Sequence, residues 1–424
     1  MNRQHPHTLT KTAPKSTAQS VSLLYLFFTF LKLGATAFGG YMSLVAMVQK
    51  QLVDLDKKLK EEDLLDGITL TSVLPGPVAV NVIAYVGYRL RGIRGAAVAF
   101  AGIILPSFFL VLVLSELYFT YGNVPAVKNI FSGITPVITA LILTVAYGMA
   151  RKTMKRPMQW VIGGAAALLL GTIGGFGLTV GLIFGSGLLG FVLFRQPASE
   201  TKADAAKSPR KTLAGKSSSE ETAGKKFVFA KGTAAMGLLF LTLLLWSGQS
   251  GRGPVGLQIV SIFSGTSLTL FGGGYVVIPA LHELFVENLH WLSSAEFADG
   301  IAIGQITPGP IFITATFIGY KVAGIGGALL ATAAMFAPPA ALTVWLSRLV
   351  GLLNDSAEVK AVMKGVRAAV IGMIFASALT IGQTMAFSVP ALLLFLAAFA
   401  ISFKYTISPV YLILGGGVAG LILF

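Results

Sequence analysis

The chain has 424 residues, of which 54% are apolar and only 12% are charged, and its formal net charge is +15. A soluble domain would carry about 25% charged residues, so this composition excludes an ordinary soluble enzyme and a disordered chain. The basic residues lie between long apolar runs, which is typical of a polytopic membrane protein and argues against a nucleic-acid partner. The lipid bilayer is therefore the first partner that the sequence predicts.

The predicted segments follow one another in a simple order. Residues 1–20 are polar and basic and lack the apolar core of a signal peptide, which predicts a cytoplasmic tail. Apolar segments fill residues 21–194 and 254–424, and several reach the length of about 20 residues that a spanning helix needs. Between them, the polar residues 195–231 predict a disordered cytoplasmic linker, and residues 232–253 predict an additional transmembrane helix and a short loop. The predicted fold is an all-α multi-pass protein of the plasma membrane.

The two apolar regions, 21–194 and 254–424, are copies of one another. The same motifs recur in the same order with an offset of 232–234 residues, which chance would not maintain over such a length. The recurring pairs are Phe38-Gly39-Gly40 with Phe271-Gly272-Gly273, Asp66-Gly67 with Asp299-Gly300, Pro75-Gly76-Pro77 with Pro308-Gly309-Pro310, and Gly87-Tyr88 with Gly319-Tyr320.

The two copies differ in the charge of their loops. Three arginines in loop 89–94 face one lysine in loop 321–326, and four basic residues in loop 151–156 face none in loop 383–388. Because Lys and Arg keep short loops in the cytoplasm, the second copy is predicted to have the opposite orientation. The added helix within 232–253 supplies the odd span that inversion requires. Inverted repeats are a common transporter architecture.

Each copy is interrupted by a Phe-Gly-Gly and a Pro-Gly-Pro motif, and both motifs break helices. Broken backbone survives at membrane depth only beside protein or a wet cavity, and a helix that starts after a break directs its free N–H groups towards that cavity. The breaks therefore predict an anion site. They either interrupt spanning helices or form the tips of re-entrant hairpins. The acidic stretch after Tyr275 favours hairpins that enter from outside in the second copy. The alternative is that Pro and Gly only kink and pack helices.

The candidate substrate-binding residues are the break residues and the polar or basic side chains near them. They are Gly39, Gly40, Tyr41, Pro75, Gly76, Pro77, Asn81, Arg89, Gly272, Gly273, Gly274, Tyr275, Thr307, Pro308, Gly309, Pro310, Lys321 and Lys32. Lys32 lies inside an apolar run, where a charge is expensive and indicates function unless the side chain extends to the interface. Arg89 and its counterpart Lys321 can attract an anion, or Arg89 can serve only to set the topology.

No catalytic, metal or cofactor site is predicted. His282-Glu283 begins like a zinc-protease motif, but Val286 stands where the second His is needed. Cysteine is absent, and we find neither a Walker loop nor a pair of intramembrane acids. Glycine-rich faces such as Gly163-Gly164 can pack helices within one subunit or between two, so a homodimer is left open.

At these motifs the sequence resembles the chromate ion transporter family in its long, two-domain form. The resemblance is carried by Phe38-Gly39-Gly40, Leu74-Pro75-Gly76-Pro77, Gly87-Tyr88-Arg89, the segment 271–279, Asp299-Gly300 and Thr307-Pro308-Gly309-Pro310. It implies a plasma-membrane protein that exports chromate by means of an ion gradient and confers chromate resistance. The family's first motif commonly continues into Pro and a nearby His, whereas Tyr41 and Met42 follow here.

The sequence thus favours a secondary transporter of an oxyanion, with chromate efflux as the leading hypothesis. Sulfate or another oxyanion is an alternative substrate, because a site of N–H groups recognises shape and charge rather than the central atom. A passive anion channel is the alternative mechanism. An enzyme would need a nucleophile or an acid pair at membrane depth.

Overall fold

The computed structural model describes residues 21–37, 41–71, 74–122, 124–174, 176–194, 254–269, 277–347, 357–383, 385, 388–405 and 407–424. All the regular elements in this part of the chain are helices, as the sequence predicts. The first half contains α1 (Leu23–Thr36), α2 (Tyr41–Val48) with a π-helical extension (Gln49–Leu55), α3 (Glu61–Thr71), α4 (Val78–Tyr121), α5 (Pro125–Thr153), α6 (Pro157–Thr172) and α7 (Phe176–Phe194).

The second half repeats this order. It contains α8 (Val255–Thr269), α9 (Val277–His282) with a π-helical extension (Glu283–Asn288), α10 (Ser294–Ile306), a 3-10 turn (Ile311–Ile313), α11 (Thr314–Leu346), α12 (Ala357–Gln383), α13 (Val389–Lys404) and α14 (Pro409–Leu423). The predicted tail, linker and additional helix at 1–20, 195–231 and 232–253 lie outside the described residues.

Five of the described helices are long and apolar enough to cross a membrane. They are Val78–Tyr121, Pro125–Thr153, Gly177–Phe194, Ile311–Leu346 and Ala361–Gln383. Proline opens α5 and α6, where its missing N–H costs nothing and its fixed φ suits a first helical turn.

Helices α4 and α11 each consist of two arms that fold back on one another. The backbone leaves the helical region at Arg91 and Gly92 in α4 and at the repeat counterparts Ala323 and Gly324 in α11. Both glycines have positive φ, 62° and 58°, which L side chains rarely adopt. The arms of α4 pack so closely that a Cβ on Gly87 would overlap the carbonyl oxygen of Gly95. The segment Gly92-Ile93-Arg94-Gly95 therefore forms the hairpin turn between the two arms of α4.

The first arm of α4, residues 78–90, also pairs with α3 to form a second tight turn, which we name hairpin A (residues 61–90). Asp63 at the start of α3 forms an ion pair with Arg89 at the end of the arm. Between them, Gly67 packs against the ring of Tyr85. The Pro-Gly-Pro motif occupies the far end, so it forms the tip and the ion pair closes the base.

The second repeat builds the same object, hairpin B (residues 294–322), from α10 and the first arm of α11. Glu296 Oε1 and Lys321 Nζ pair at 2.7 Å at its base, and Gly300 packs against the ring of Phe317. These residues are the counterparts of Asp63, Arg89, Gly67 and Tyr85 in hairpin A. Both Pro-Gly-Pro motifs thus lie at the end of a helical hairpin that is opposite its ion pair.

Helices of each repeat pack against helices of the other repeat. A Cβ on Gly133 of α5 would overlap the carbonyl oxygen of Gly416 in α14, so these backbones touch across the repeats. The counterpart of Gly133 is Gly365 of α12, whose Cβ would overlap the carbonyl oxygen of Ser186 in α7. Glycine allows such close backbone approach because it lacks a side chain. Of the two glycines that the sequence offered for helix packing, Gly163 contacts Ala368 of α12 in the other half, whereas Gly164 has nothing within 4 Å of its Cβ position.

Candidate functional site

The tip of hairpin B lies against the end of α1. The backbone N–H of Gly309 donates a hydrogen bond to the carbonyl of Ala37 at 3.0 Å. Ala37 is the residue immediately before Phe38-Gly39-Gly40, a motif that lies outside the described residues. The structure therefore brings the Pro-Gly-Pro break of the second repeat beside the start of the Phe-Gly-Gly break of the first.

The tip of hairpin A makes the reciprocal contact with the second repeat. A Cβ on Gly76, which has a φ of +92°, would overlap the ring of Pro339 and lie 3.4 Å from the carbonyl oxygen of Ser267 in α8. In the other direction, Ser107 Oγ donates a hydrogen bond to the carbonyl of Pro308. Ser107 and Pro339 are repeat counterparts, each on the second arm of its long helix. Each tip therefore packs against the other repeat, and the two contacts on the second arms of α4 and α11 lie at equivalent positions.

The helix starts at the two tips lack side-chain caps. α4 begins directly after Pro77, no side chain caps that end, and the first N–H groups of a helix have no partner within it. The 3-10 turn of hairpin B likewise begins after Pro310 without a side-chain cap. Helix N-termini carry partial positive charge and bind anions. No side chain caps the helix start at either tip, and the role of these N–H groups in binding an anion stays a prediction.

The polar side chains at the tips are mostly engaged with their own hairpins. Asn81 is fully buried and its Nδ2 donates to the carbonyl of Pro75 at 3.0 Å. The hydroxyls of Thr307 and Thr314 donate to the carbonyls of Gly304 and Ile311. These hydrogen bonds lie within the hairpins and hold the bends in shape.

The predicted basic residues do not join the tips. Arg89 and Lys321 lie at the hairpin bases, about 18 Å from Pro77 and from Pro310 at a rise of 1.5 Å per residue. Lys32 is exposed on α1 and lines a different cavity of about 600 Å³ together with Lys50. Tyr41 begins α2, and Gly272, Gly273, Gly274 and Tyr275 lie outside the described residues.

A second polar region lies at the base of hairpin B, and the sequence analysis did not assign it a role. Asp299 is buried and accepts a hydrogen bond from Tyr118 Oη at 2.7 Å. Tyr320 Oη donates to Glu116 nearby. Both contacts join hairpin B to the C-terminal end of α4. The repeat motif Asp-Gly marked Asp299, but only the fold reveals its burial.

The comparison with protein families decides what kind of molecule this is. The chromate transporter family profile matches residues 24–191 and 257–421, which together make up most of the chain. The chain belongs to the chromate transporter family. Family members are transporters and not enzymes, and this one is a helical, multi-pass membrane protein.

Full-length relatives support this assignment. The chromate transport protein of Cupriavidus metallidurans is 28% identical over 426 residues, which cover 100% of this chain and 99% of that protein. The chromate transport protein of Pseudomonas aeruginosa is 29% identical over 427 residues, 99% of this chain and 97% of that one. An uncharacterized transporter of Methanocaldococcus jannaschii is 29% identical over 407 residues, 94% of each chain. No solved structure matches the chain.

Proposed function

We propose that this chromate transporter family member is a secondary transporter that exports chromate across the plasma membrane and so confers chromate resistance. The single observation that carries the proposal is that each Pro-Gly-Pro tip, with an uncapped helix start, packs against the other repeat, which supports a shared central region for the anion. Two sets of N–H groups from opposite repeats suit a tetrahedral dianion, which offers oxygens in several directions. The relatives named chromate transport proteins support chromate as that dianion.

The inverted orientation of the repeats is part of this proposal. The second arm of α4, residues 93–121, is roughly 43 Å long, which exceeds the about 30 Å hydrocarbon core of a bilayer. Hairpin A turns into this arm at residue 93, whereas the base of hairpin B contacts Tyr118 and Glu116 at its other end. Hairpin bases at opposite ends of a spanning helix support hairpins that enter from opposite sides.

The tail 1–20 and the linker 195–231 are proposed to be cytoplasmic, since they carry much of the excess positive charge. With that orientation, the arginine-rich loop 89–94 and the base of hairpin A face the cytoplasm, and the base of hairpin B faces outside. Alternating access then moves the two hairpins about the shared central region. The segments 21–194 and 254–424 are proposed as the two domains.

The experiment that tests the function uses purified protein in liposomes and isotopically labelled chromate. We expect chromate flux that protein-free liposomes lack, that saturates with chromate and that competes with unlabelled oxyanions. Strong inhibition by sulfate but weak inhibition by chromate would instead identify a sulfate transporter. Flux that follows the electrochemical gradient of chromate alone, without any response to another ion gradient, would identify a passive channel. Absence of saturable oxyanion flux in active preparations would overturn the proposal.

A further inference from the structure

Asp299 is a buried carboxylate that no described Lys or Arg neutralises. Its residue surface is only 9% exposed, and it accepts the hydrogen bond of Tyr118 at 2.7 Å. Lys321 belongs to the same hairpin base but is paired with Glu296 at 2.7 Å. A buried carboxylate without a cationic partner favours its protonated form, because burial penalises the charge. Asp299 therefore differs from the paired acids at the two hairpin bases.

A cavity of about 670 Å³ gives water access to this carboxylate. Its titratable side chains come from four helices and consist of Tyr118, Lys128, Glu296, Asp299 and Lys321. The other helices that pack on α10 are α12 and α14, and within the described part of the chain neither places a titratable side chain in the cavity. From α9, the ring of His282 packs edge-on against Phe297 of α10. The cavity is large enough for several waters, which can deliver and remove a proton.

The surroundings of this carboxylate raise its pKa. α10 has 13 residues, too few to cross a bilayer as a single helix. Burial raises the pKa of Asp299 to about 7, against the opposing effect of the hydrogen bond from Tyr118. The same aromatic ring is held between Phe119, Phe131 and Phe317, so the hydroxyl has little freedom to leave its position. Protonation of Asp299 therefore acts on a contact with fixed geometry.

That contact joins a hairpin to a spanning helix. Tyr118 belongs to the second arm of α4, and Asp299 belongs to α10, which leads to the tip at Pro308. When Asp299 is charged it accepts from Tyr118, whereas a neutral carboxyl also carries a donor and loses the charge that strengthens the bond. The protonation state thus changes how firmly the base of hairpin B is held against α4.

We propose that Asp299 is the binding site of a coupling proton, and that its protonation is linked to the movement of hairpin B and hence of the oxyanion. This inference rests on the proposed transport function and adds the identity of the coupling ion and its site. The repeat counterpart Asp66 makes a matched comparison, because it follows the same Asp-Gly pattern but is only half-buried. Asp299 is therefore buried, whereas its repeat counterpart Asp66 is only half-buried.

The test uses wild-type protein and the Asp299→Asn and Asp66→Asn variants in liposomes, with labelled chromate and a pH-sensitive dye inside. We expect wild type and Asp66→Asn to accelerate chromate flux under an imposed pH gradient and to move protons in the direction opposite to chromate, as export driven by an inward proton gradient requires. Asp299→Asn should retain chromate exchange without a gradient, yet lose the acceleration and the proton movement. Acceleration by a pH gradient in Asp299→Asn would overturn the proposal. Absence of any chromate flux in the wild type would instead refute the transport function.

A second variant covers the case in which Asp299→Asn does not fold. Tyr118→Phe removes the hydroxyl that favours charged Asp299 and keeps the ring. We expect the midpoint of the pH dependence of chromate flux, near 7 in the wild type, to move upwards by about 0.5–1 pH unit, which corresponds to one ordinary hydrogen bond. A midpoint that stays in place would overturn the role of Asp299, whatever the outcome for Asp299→Asn.

Discussion

The N–H of Gly309 in the second repeat donates to the carbonyl of Ala37 in the first, at 3.0 Å. This bond joins residues 272 positions apart and connects the two kinds of repeated break, because Ala37 precedes Phe38-Gly39-Gly40. A helix end and a hairpin tip from different repeats therefore share a hydrogen bond. Both partners of this contact are backbone atoms, and no charged side chain takes part in it.

The first prediction concerns the glycines at the tips. Gly309 has a φ of +110° and a Cβ there would overlap Ser107 Oγ, so Gly309→Ala should strain the tip by about 1–3 kcal/mol. We expect chromate flux to fall about tenfold or more, since about 1.4 kcal/mol corresponds to a factor of ten. Gly76→Ala should act in the same way against Pro339. Liposome flux at equal protein content measures both.

The matched control for the tip variants is Gly326→Ala. Gly326 lies on the second arm of α11, where nothing lies within 4 Å of a new Cβ and φ is not positive. This variant should transport like the wild type. If Gly309→Ala and Gly76→Ala also transported like the wild type, the Pro-Gly-Pro tips would be helix-packing features and not parts of the anion site.

The second prediction concerns Arg89, which the structure places at a hairpin base with its side chain 49% exposed. An exposed ion pair contributes only about 0–1 kcal/mol, so the loss of the Asp63 pair should leave the fold intact. If Arg89 attracts the dianion at the cytoplasmic mouth, Arg89→Ala should raise KM a few-fold, more at low salt than at high salt. Arg94→Ala should raise KM less, because Arg94 belongs to the turn after the hairpin.

Asp63→Ala separates attraction from structure in this experiment. It breaks the same ion pair but leaves the positive charge of Arg89 in place and unpaired. We expect KM to stay equal or to decrease. An increase in KM that matches that of Arg89→Ala would show that both residues act only by closing hairpin A.

Much of the fold follows from the sequence, and the reason is physical. Apolar length predicts the spanning helices, and paired Pro-Gly-Pro motifs predict breaks because proline lacks a donor. The ion pairs at the two hairpin bases, Asp63–Arg89 and Glu296–Lys321, were not predicted. The partners are 26 and 25 residues apart in sequence, and only the hairpin turn brings them together. Without the turn, Arg89 and Lys321 were expected near the breaks.

The contacts across the repeats could not be predicted either. Ser107 and Pro308 are 201 positions apart, and no sequence periodicity encodes their contact. In the sequence, Asp299 is one of several acids in a polar stretch. Its burial could not be predicted, because it depends on packing against α4 and the aromatic side chains of that helix. The Phe-Gly-Gly segments, which the sequence weighted as heavily as Pro-Gly-Pro, lie outside the described residues and remain predictions as binding residues.

The third prediction tests the inverted orientation of the repeats. The chain has no cysteine, so single cysteines can be introduced without background. Ile93 and its counterpart Ile325 follow the two equivalent turns and are 73% and 64% exposed. In inverted repeats, Ile93→Cys and Ile325→Cys should react with a membrane-impermeant maleimide from opposite sides of oriented vesicles. Labelling of both from the same side would require parallel repeats and would remove the two-sided arrangement of the hairpins.

The fourth prediction concerns the helices that pack across the repeats. Gly133→Ala places a Cβ into the backbone of α14 at Gly416, and overpacking of this kind costs about 1–3 kcal/mol. We expect the midpoint of thermal unfolding in detergent to fall by at least about 2 °C. Gly148→Ala is the control, because Gly148 lies on the same helix with nothing within 4 Å of its Cβ position. If both variants unfolded at the same temperature as the wild type, the contact between α5 and α14 would not stabilise the protein. A decrease in the unfolding temperature of Gly133→Ala alone would show that the two halves stabilise one another through the helices that pack across the repeats.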